Sequence, residues 1–188
     1  MRFQVNVQDD VCLTLPEVDI SPDRLILTYR IANNSPYRVY LVNQLFHRQG
    51  SAGFHVDENL VYAEVSQEQT LLLRKQLIEV PEELDVEAPE VPYVTPVEVD
   101  STFQETLHLE FPIRLYGPYR RQSDSQSLFM TSQFTFSVGY ILEDETIRVS
   151  KVNLPTGTKH LRIDYTDLLL RQRVKEIGPI QANVQVVT

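Results

Sequence analysis

The strongest constraint in this sequence is the alternation of apolar residues with period two. In Gln133–Leu142, Phe134, Phe136, Val138, Tyr140 and Leu142 occupy every second position, with mostly small or polar groups between them. Successive strand side chains point to opposite faces, so this pattern predicts a half-buried strand. Thr102–Phe111 repeats it: Phe103, Leu107, Leu109 and Phe111 share a face with Glu105, opposite Gln104, Thr106, His108 and Glu110. Leu25, Leu27, Tyr29 and Ile31 alternate in the same way, and Phe3–Val7, Val11–Leu15 and Leu161–Tyr165 are shorter cases.

The intervening segments predict antiparallel pairing. Asn33–Pro36, Ser66–Gln69 and Glu143–Glu145 are short runs of turn formers or charged residues, too short for the helical crossovers that a parallel sheet needs. Glu79–Asp100 carries four prolines and eight acidic residues with no lysine or arginine. Proline removes ladder donors, so this run reads as a packed connection between sheets, with Tyr93–Val99 at an edge. Pro112–Ser132 reads as a long loop, with a turn at Gly117-Pro118. Near the end, Thr166 or Asp167 as cap, Leu170, Val174 and Ile177 at helical spacing, and Gly178-Pro179 as a stop predict one helix. A further strand over 166–177 is the competing reading. The expected class is therefore all-β, an antiparallel β-sandwich with one short C-terminal helix, forming a single domain over residues 1–188.

Val97–Gln104 with Leu107-His108-Leu109 resembles the turn-then-strand passage of immunoglobulin-like and fibronectin-like modules. That resemblance implies a sandwich and carries no functional residue. The Cys…Trp…Cys signature of antibody-type domains is missing, because Cys12 is the only cysteine and there is no tryptophan. Leu25–Phe46 also resembles the first hairpin of small bacterial sandwich proteins, a group that includes intracellular proteinase inhibitors.

A chain of 188 residues buries enough surface to fold without disulfides or a structural metal. The single cysteine excludes an intrachain disulfide framework, and no apolar run approaches the ~20 residues of a helical membrane span. The opening residues lack the apolar stretch of a secretory signal, so the expectation is a cytoplasmic protein with no membrane partner. The net charge of −9 repels phosphate backbones, and no nucleic-acid partner is expected. The charge is uneven: residues 1–113 hold seven basic and nineteen acidic side chains, and residues 114–188 hold ten and seven. Arg120-Arg121 and the set Arg171, Arg173, Lys175 are the basic clusters.

Motifs for chemistry are missing. There is no GxGxxG, no GxxxxGK[ST] and no GxSxG, and only six glycines are present to build a phosphate cradle. No cofactor and no catalytic residue is assigned. His47, His55 and Asp57 form the one conceivable metal set, but they match no metal-ligand spacing and no metal site is assigned to them. His108 is expected on the solvent side of its strand and His160 in a surface turn. Tyr116 and Tyr119 stand beside Arg120 and Arg121 in the long loop. Tyrosine and arginine are enriched at interface hot spots, so these four are the candidate binding residues. The function expected is a non-catalytic module that binds a protein partner or assembles as a homo-oligomer. The alternatives are a metal-dependent hydrolase near His47 and His55 and a protease-inhibitor-like protein.

Overall fold

The computed structural model describes residues 3–4, 10–48, 54–120, 126–155 and 157–188. The chain is an all-β sandwich. One sheet holds β1 (Phe3–Gln4), β2 (Val11–Ile20), β3 (Arg24–Asn33) and β10 (Ser101–Glu110), in that spatial order. The larger sheet runs β11 (Ile113–Arg114), β15 (Arg173–Val187), β12 (Leu128–Leu142), β4 (Val39–Gln44), β9 (Tyr93–Val97), β14 (Lys159–Ile163) and β13 (Val149–Asn153). The hairpin of β7 (Tyr62–Val65) and β8 (Leu71–Lys75) joins it along β12. A separate hairpin pairs β5 (Phe46–Arg48) with β6 (Phe54–Val56). Nearly every pairing is antiparallel; β11 on β15 and β8 on β12 are parallel.

The alternating residues build the space between the sheets. Leu13, Leu15, Leu25, Leu27, Ile31 and Leu107 from one layer meet Val39, Leu41, Leu73, Phe134, Phe136 and Val138 from the other, all buried. Burying a side chain of this size is worth roughly 1.5–3 kcal/mol, so a dozen of them supply the main drive for two layers to close. Expectation and structure agree here because strand alternation is a local property of the backbone.

Pairing across the chain corrects several expectations. Asn33–Pro36 does not close a hairpin: β3 and β4 lie in different sheets, and the segment carries the chain from one layer to the other. Asn33 organises that crossing. Its Nδ2 lies 2.9 Å from the Tyr37 carbonyl and 3.0 Å from that of Val97, while its Oδ1 accepts from the Ser35 hydroxyl at 2.7 Å. Likewise Glu143–Glu145 leads to β13 at the far end of the sheet, because the edge of β12 beyond Gly139 is already taken by β4. Residues 79–92 link β8 and β9 within one sheet, and β9 lies between β4 and β14 rather than at an edge. The crossing between sheets comes later, at the Glu98–Ser101 turn.

The long segment after Pro112 is shorter than its composition predicts. Ile113-Arg114 pairs with β15, and β12 begins at Leu128, pairing onward with the C-terminal strand. The helix is also shorter: α1 covers Tyr165–Arg171, follows Asp164, and buries Leu168, while Leu170 is exposed. Val174 and Ile177 belong to β15, which continues through Gly178-Pro179. Gly178 has φ +141°, and a Cβ there would lie 2.9 Å from the Thr135 Cα, so only glycine lets the two strands approach at this irregular register.

The large sheet is covered on its outer face too. Tyr40, Val42 and Ile141 point away from the sandwich and pack on Leu77, Val91, Val94, Ile163 and Leu168, contributed by β9, β14, α1 and the segments flanking residues 79–90. Gln172, just after α1, clamps this layer: its Oε1 accepts from the Leu77 N–H at 2.8 Å and its Nε2 donates to the Leu77 carbonyl at 3.2 Å. The result is a third partial layer that period-two reasoning does not contain.

Candidate functional site

Tyr116 and Tyr119 stand where chain segments from distant parts of the sequence meet. Tyr116 forms a β-bridge with Ala63 of β7: the Ala63 N–H donates to the Tyr116 carbonyl at 2.8 Å and the reverse bond is 3.0 Å. Two ladder bonds hold the loop against the β7–β8 hairpin. Gly117 and Pro118 then turn the chain, with the Arg120 N–H donating to the Gly117 carbonyl at 3.3 Å. The turn presents Tyr119 and Arg120 beyond the hairpin. Tyr116 and Tyr119 are half-buried and Arg120 is exposed.

Between the turn and the hairpin lies a cleft of about 260 Å³. Its walls are mostly apolar: Tyr62, Ala63, Ile78, Pro81, Pro118 and Tyr119. The rim carries Arg74, Glu64 and Arg120. Arg74 is engaged with Glu64 at 3.0 Å, whereas Arg120 projects on the turn. The Tyr62 ring lies 6.0 Å from that of Tyr116, and burial pushes the Tyr62 phenol well above its ordinary ionisation range. The Tyr119 hydroxyl accepts the Glu90 N–H at 3.0 Å, so the acidic proline-containing segment runs against the same turn. Chemically the cleft offers aromatic faces, two prolines and a cation, with no nucleophile beside a base. Arg121 lies outside the described residues.

The structure therefore gathers three of the four candidate residues and adds walls that composition did not reveal. Tyr62, Ile78 and Pro81 are separated from Tyr116 by many residues; the Ala63–Tyr116 bridge, the packing of Tyr62, Ile78 and Tyr116 in one apolar cluster and the Glu90–Tyr119 hydrogen bond bring these segments together.

His47 and His55 are directly opposite each other on β5 and β6, and Asp57 lies 3.5 Å from His47. Among the described residues no group of three or more histidine, cysteine, aspartate or glutamate side chains is arranged to hold a metal ion. His108 is exposed, and its backbone N–H donates to Asn59 Oδ1 at 2.8 Å, which covers one position of the β10 edge. His160 is not in a turn. It lies on β14, stacked on Tyr93 at 5.1 Å, and hydrogen-bonds Gln44 at 2.8 Å. Arg171 of the second basic cluster pairs with Asp144 and Asp167.

A polar cluster sits inside the sandwich. Lys75 is fully buried, yet its Nζ lies 2.8 Å from Glu105 Oε2 and donates to the carbonyls of Asn43 at 3.2 Å and Glu58 at 2.6 Å. The Tyr29 hydroxyl donates to Glu105 at 2.6 Å, and Asn43 Nδ2 stands 3.5 Å from that hydroxyl. Burial lowers the Lys75 ammonium below its ordinary range, with Glu105 opposing the shift, and burial raises the Tyr29 phenol. The sequence signal was present on each strand. Glu105 shares the inward face of Phe103 and Leu107, and Lys75 continues the alternation of Leu71 and Leu73. Only the closing of the sheets pairs them. No helix of the described residues is long and apolar enough to cross a membrane. No family model matches this chain, no curated protein matches its sequence, and no solved structure matches its fold.

Proposed function

We propose that this chain is a non-catalytic, protein-binding β-sandwich module that holds an extended segment of a partner protein in the cleft between the β7–β8 hairpin and the Gly117–Arg120 turn. The observation that carries this reading is the cleft itself: about 260 Å³, walled by Tyr62, Ile78, Pro81 and Tyr119, with Arg120 at its mouth. Aromatic faces that accept an apolar side chain, next to an arginine that meets a carboxylate, are the residue types that concentrate binding energy at interfaces. The fitting ligand is an apolar or proline-containing stretch followed by an acidic residue. An immunoglobulin-like reading is supported by strand order, since β2-β3-β10 faces β15-β12-β4, as the first, second and fifth strands face the third, sixth and seventh in that architecture. The competing form of the proposal, a homo-oligomer, would use the same cleft for a second copy.

The test begins with the protein recovered from its native cell and a partner purified from that material. Affinity is then measured for wild type, Arg120→Ala and Ile78→Asp. Each substitution should weaken binding roughly tenfold or more, the size of a hot-spot loss, while Arg120→Ala keeps the wild-type melting temperature. Equal affinity for all three proteins sinks the proposal. Sedimentation across a range of concentrations separates self-association from binding a different protein.

A further inference from the structure

The buried Lys75–Glu105–Asn43 cluster has the composition of a reaction centre for joining two side chains of the same molecule. β4 and β8 both lie along one edge of β12, where Val42 pairs with Gly139 and Lys75 pairs with Val138. Asn43, the residue after Val42, therefore lies alongside the end of β8. Its side chain is turned inward with Leu41, and the residue is 1% exposed. Its Oδ1 has no hydrogen-bond partner among the described residues. A buried carboxamide left half-satisfied is a cost that ordinary packing avoids. The Lys75 amine donates to the main-chain carbonyl of Asn43 at 3.2 Å and touches the Glu105 carboxylate at 2.8 Å, and the Tyr29 hydroxyl reaches both that carboxylate and the carboxamide. The Phe136 and Phe103 rings lie 5.0 and 6.1 Å from the Tyr29 ring and shield the group from water.

We propose that Lys75 and Asn43 form an intramolecular amide cross-link between β8 and β4, with Glu105 carrying the protons. The Lys75 ammonium passes a proton to Glu105, and the freed lone pair on Nζ attacks Cγ of Asn43. A carbon–nitrogen bond forms and the Cγ–Nδ2 bond breaks. Glu105 protonates the departing nitrogen and then takes the second proton from the new amide nitrogen. Ammonia leaves, Glu105 ends protonated, and no oxidant or co-reactant is consumed. The same desolvation that lowers the Lys75 ionisation favours the neutral amine that the attack requires. Exclusion of water protects the product from hydrolysis.

Intact mass spectrometry of the full chain, folded and then denatured, is the deciding measurement. The expected mass is lower than the sequence mass by one ammonia molecule. Trypsin should no longer cut after Lys75, and residues 39–48 should be recovered covalently joined to residues 75–114. Glu105→Gln should show the full sequence mass and normal cleavage after Lys75. If that variant does not accumulate as folded protein, the wild-type peptide map decides alone. A wild-type protein at full mass overturns the proposal, as does loss of ammonia without the branched peptide. A folded Glu105→Gln protein that is still cross-linked removes Glu105 from the chemistry.

Discussion

Two triads of the same chemistry stand in opposite surroundings. Between the sheets, Glu105 accepts from the Tyr29 hydroxyl at 2.6 Å and meets the Lys75 ammonium at 2.8 Å. At the end of β12, Glu143 accepts from the Tyr40 hydroxyl at 2.7 Å and meets Arg38 at 3.2 Å. The first cation is 0% exposed and the second 38%. Geometry alone would rank them as equals. Water separates them: the surface pair is screened and gains little, whereas the interior pair has given up its hydration and depends on its partner to offset that loss.

The largest effect should follow from breaking the interior triad. In an Asn43→Ala background, where the cross-link cannot form and the ion pair stays intact, Lys75→Ala leaves Glu105 buried without its cation and should cost about 3–5 kcal/mol in urea denaturation. Replacing both members, Lys75→Met with Glu105→Leu, should recover most of that loss, since two well-packed apolar side chains need no partner. A single-variant cost below ~1 kcal/mol would make the two triads equivalent and erase the distinction.

The next effect comes from alkali. Tyr29 and Tyr62 are both raised by burial, so the folded state holds them neutral while the unfolded chain ionises them near pH 10. Their contribution is complete below that pH and is lost as pH climbs above it, by roughly 1.4 kcal/mol per pH unit for each phenol. Tyrosinate absorbance should show these two ionising only as the fold opens. Phenols that titrate with the exposed ones before any loss of circular dichroism would place them in contact with water.

The surface triad should respond weakly. Arg38→Ala is expected to leave stability close to that of wild type, and added salt should shrink any difference. The smallest effect concerns His160, whose ionisation is lowered by burial on β14. Folding favours its neutral form, so stability should decline slightly as pH falls below about 6.5 and protonation is forced on the folded state. A nuclear magnetic resonance titration of its ring should show a midpoint below that of an exposed histidine. His160→Phe should flatten the acid-side slope.

Legibility in the sequence followed the range of the physics. Leu25, Leu27, Tyr29 and Ile31 could be assigned to one face because alternation depends only on the backbone of their own strand. The partners of that strand were not readable: β3 pairs with β2 and β10, and the short Asn33–Pro36 segment that suggested a hairpin crosses to the other sheet. Helical spacing of Leu170, Val174 and Ile177 was likewise ambiguous. Residues after Gln172 gain a ladder with β12 that a solitary helix end cannot match. At the candidate site, Tyr116, Tyr119 and Arg120 were visible as a composition, whereas the apolar wall of Tyr62, Ile78 and Pro81 depends on long-range contacts formed in the folded chain, the Ala63–Tyr116 bridge among them.

By itself, the sequence determined which side chains share a face on the strands with clear alternation, β3, β10 and β12 above all, and therefore that pleated layers enclose a common core. Tertiary structure alone decided which strands are neighbours, that helix α1 and the segments around residues 79–90 cover the outer face of one sheet, and that an ammonium from β8 meets a carboxylate from β10. The reason is distance along the chain. Alternation is set by adjacent peptide units, while neighbour choice and the matching of buried charges are set by contacts between residues tens of positions apart, which exist only after the sheets have closed.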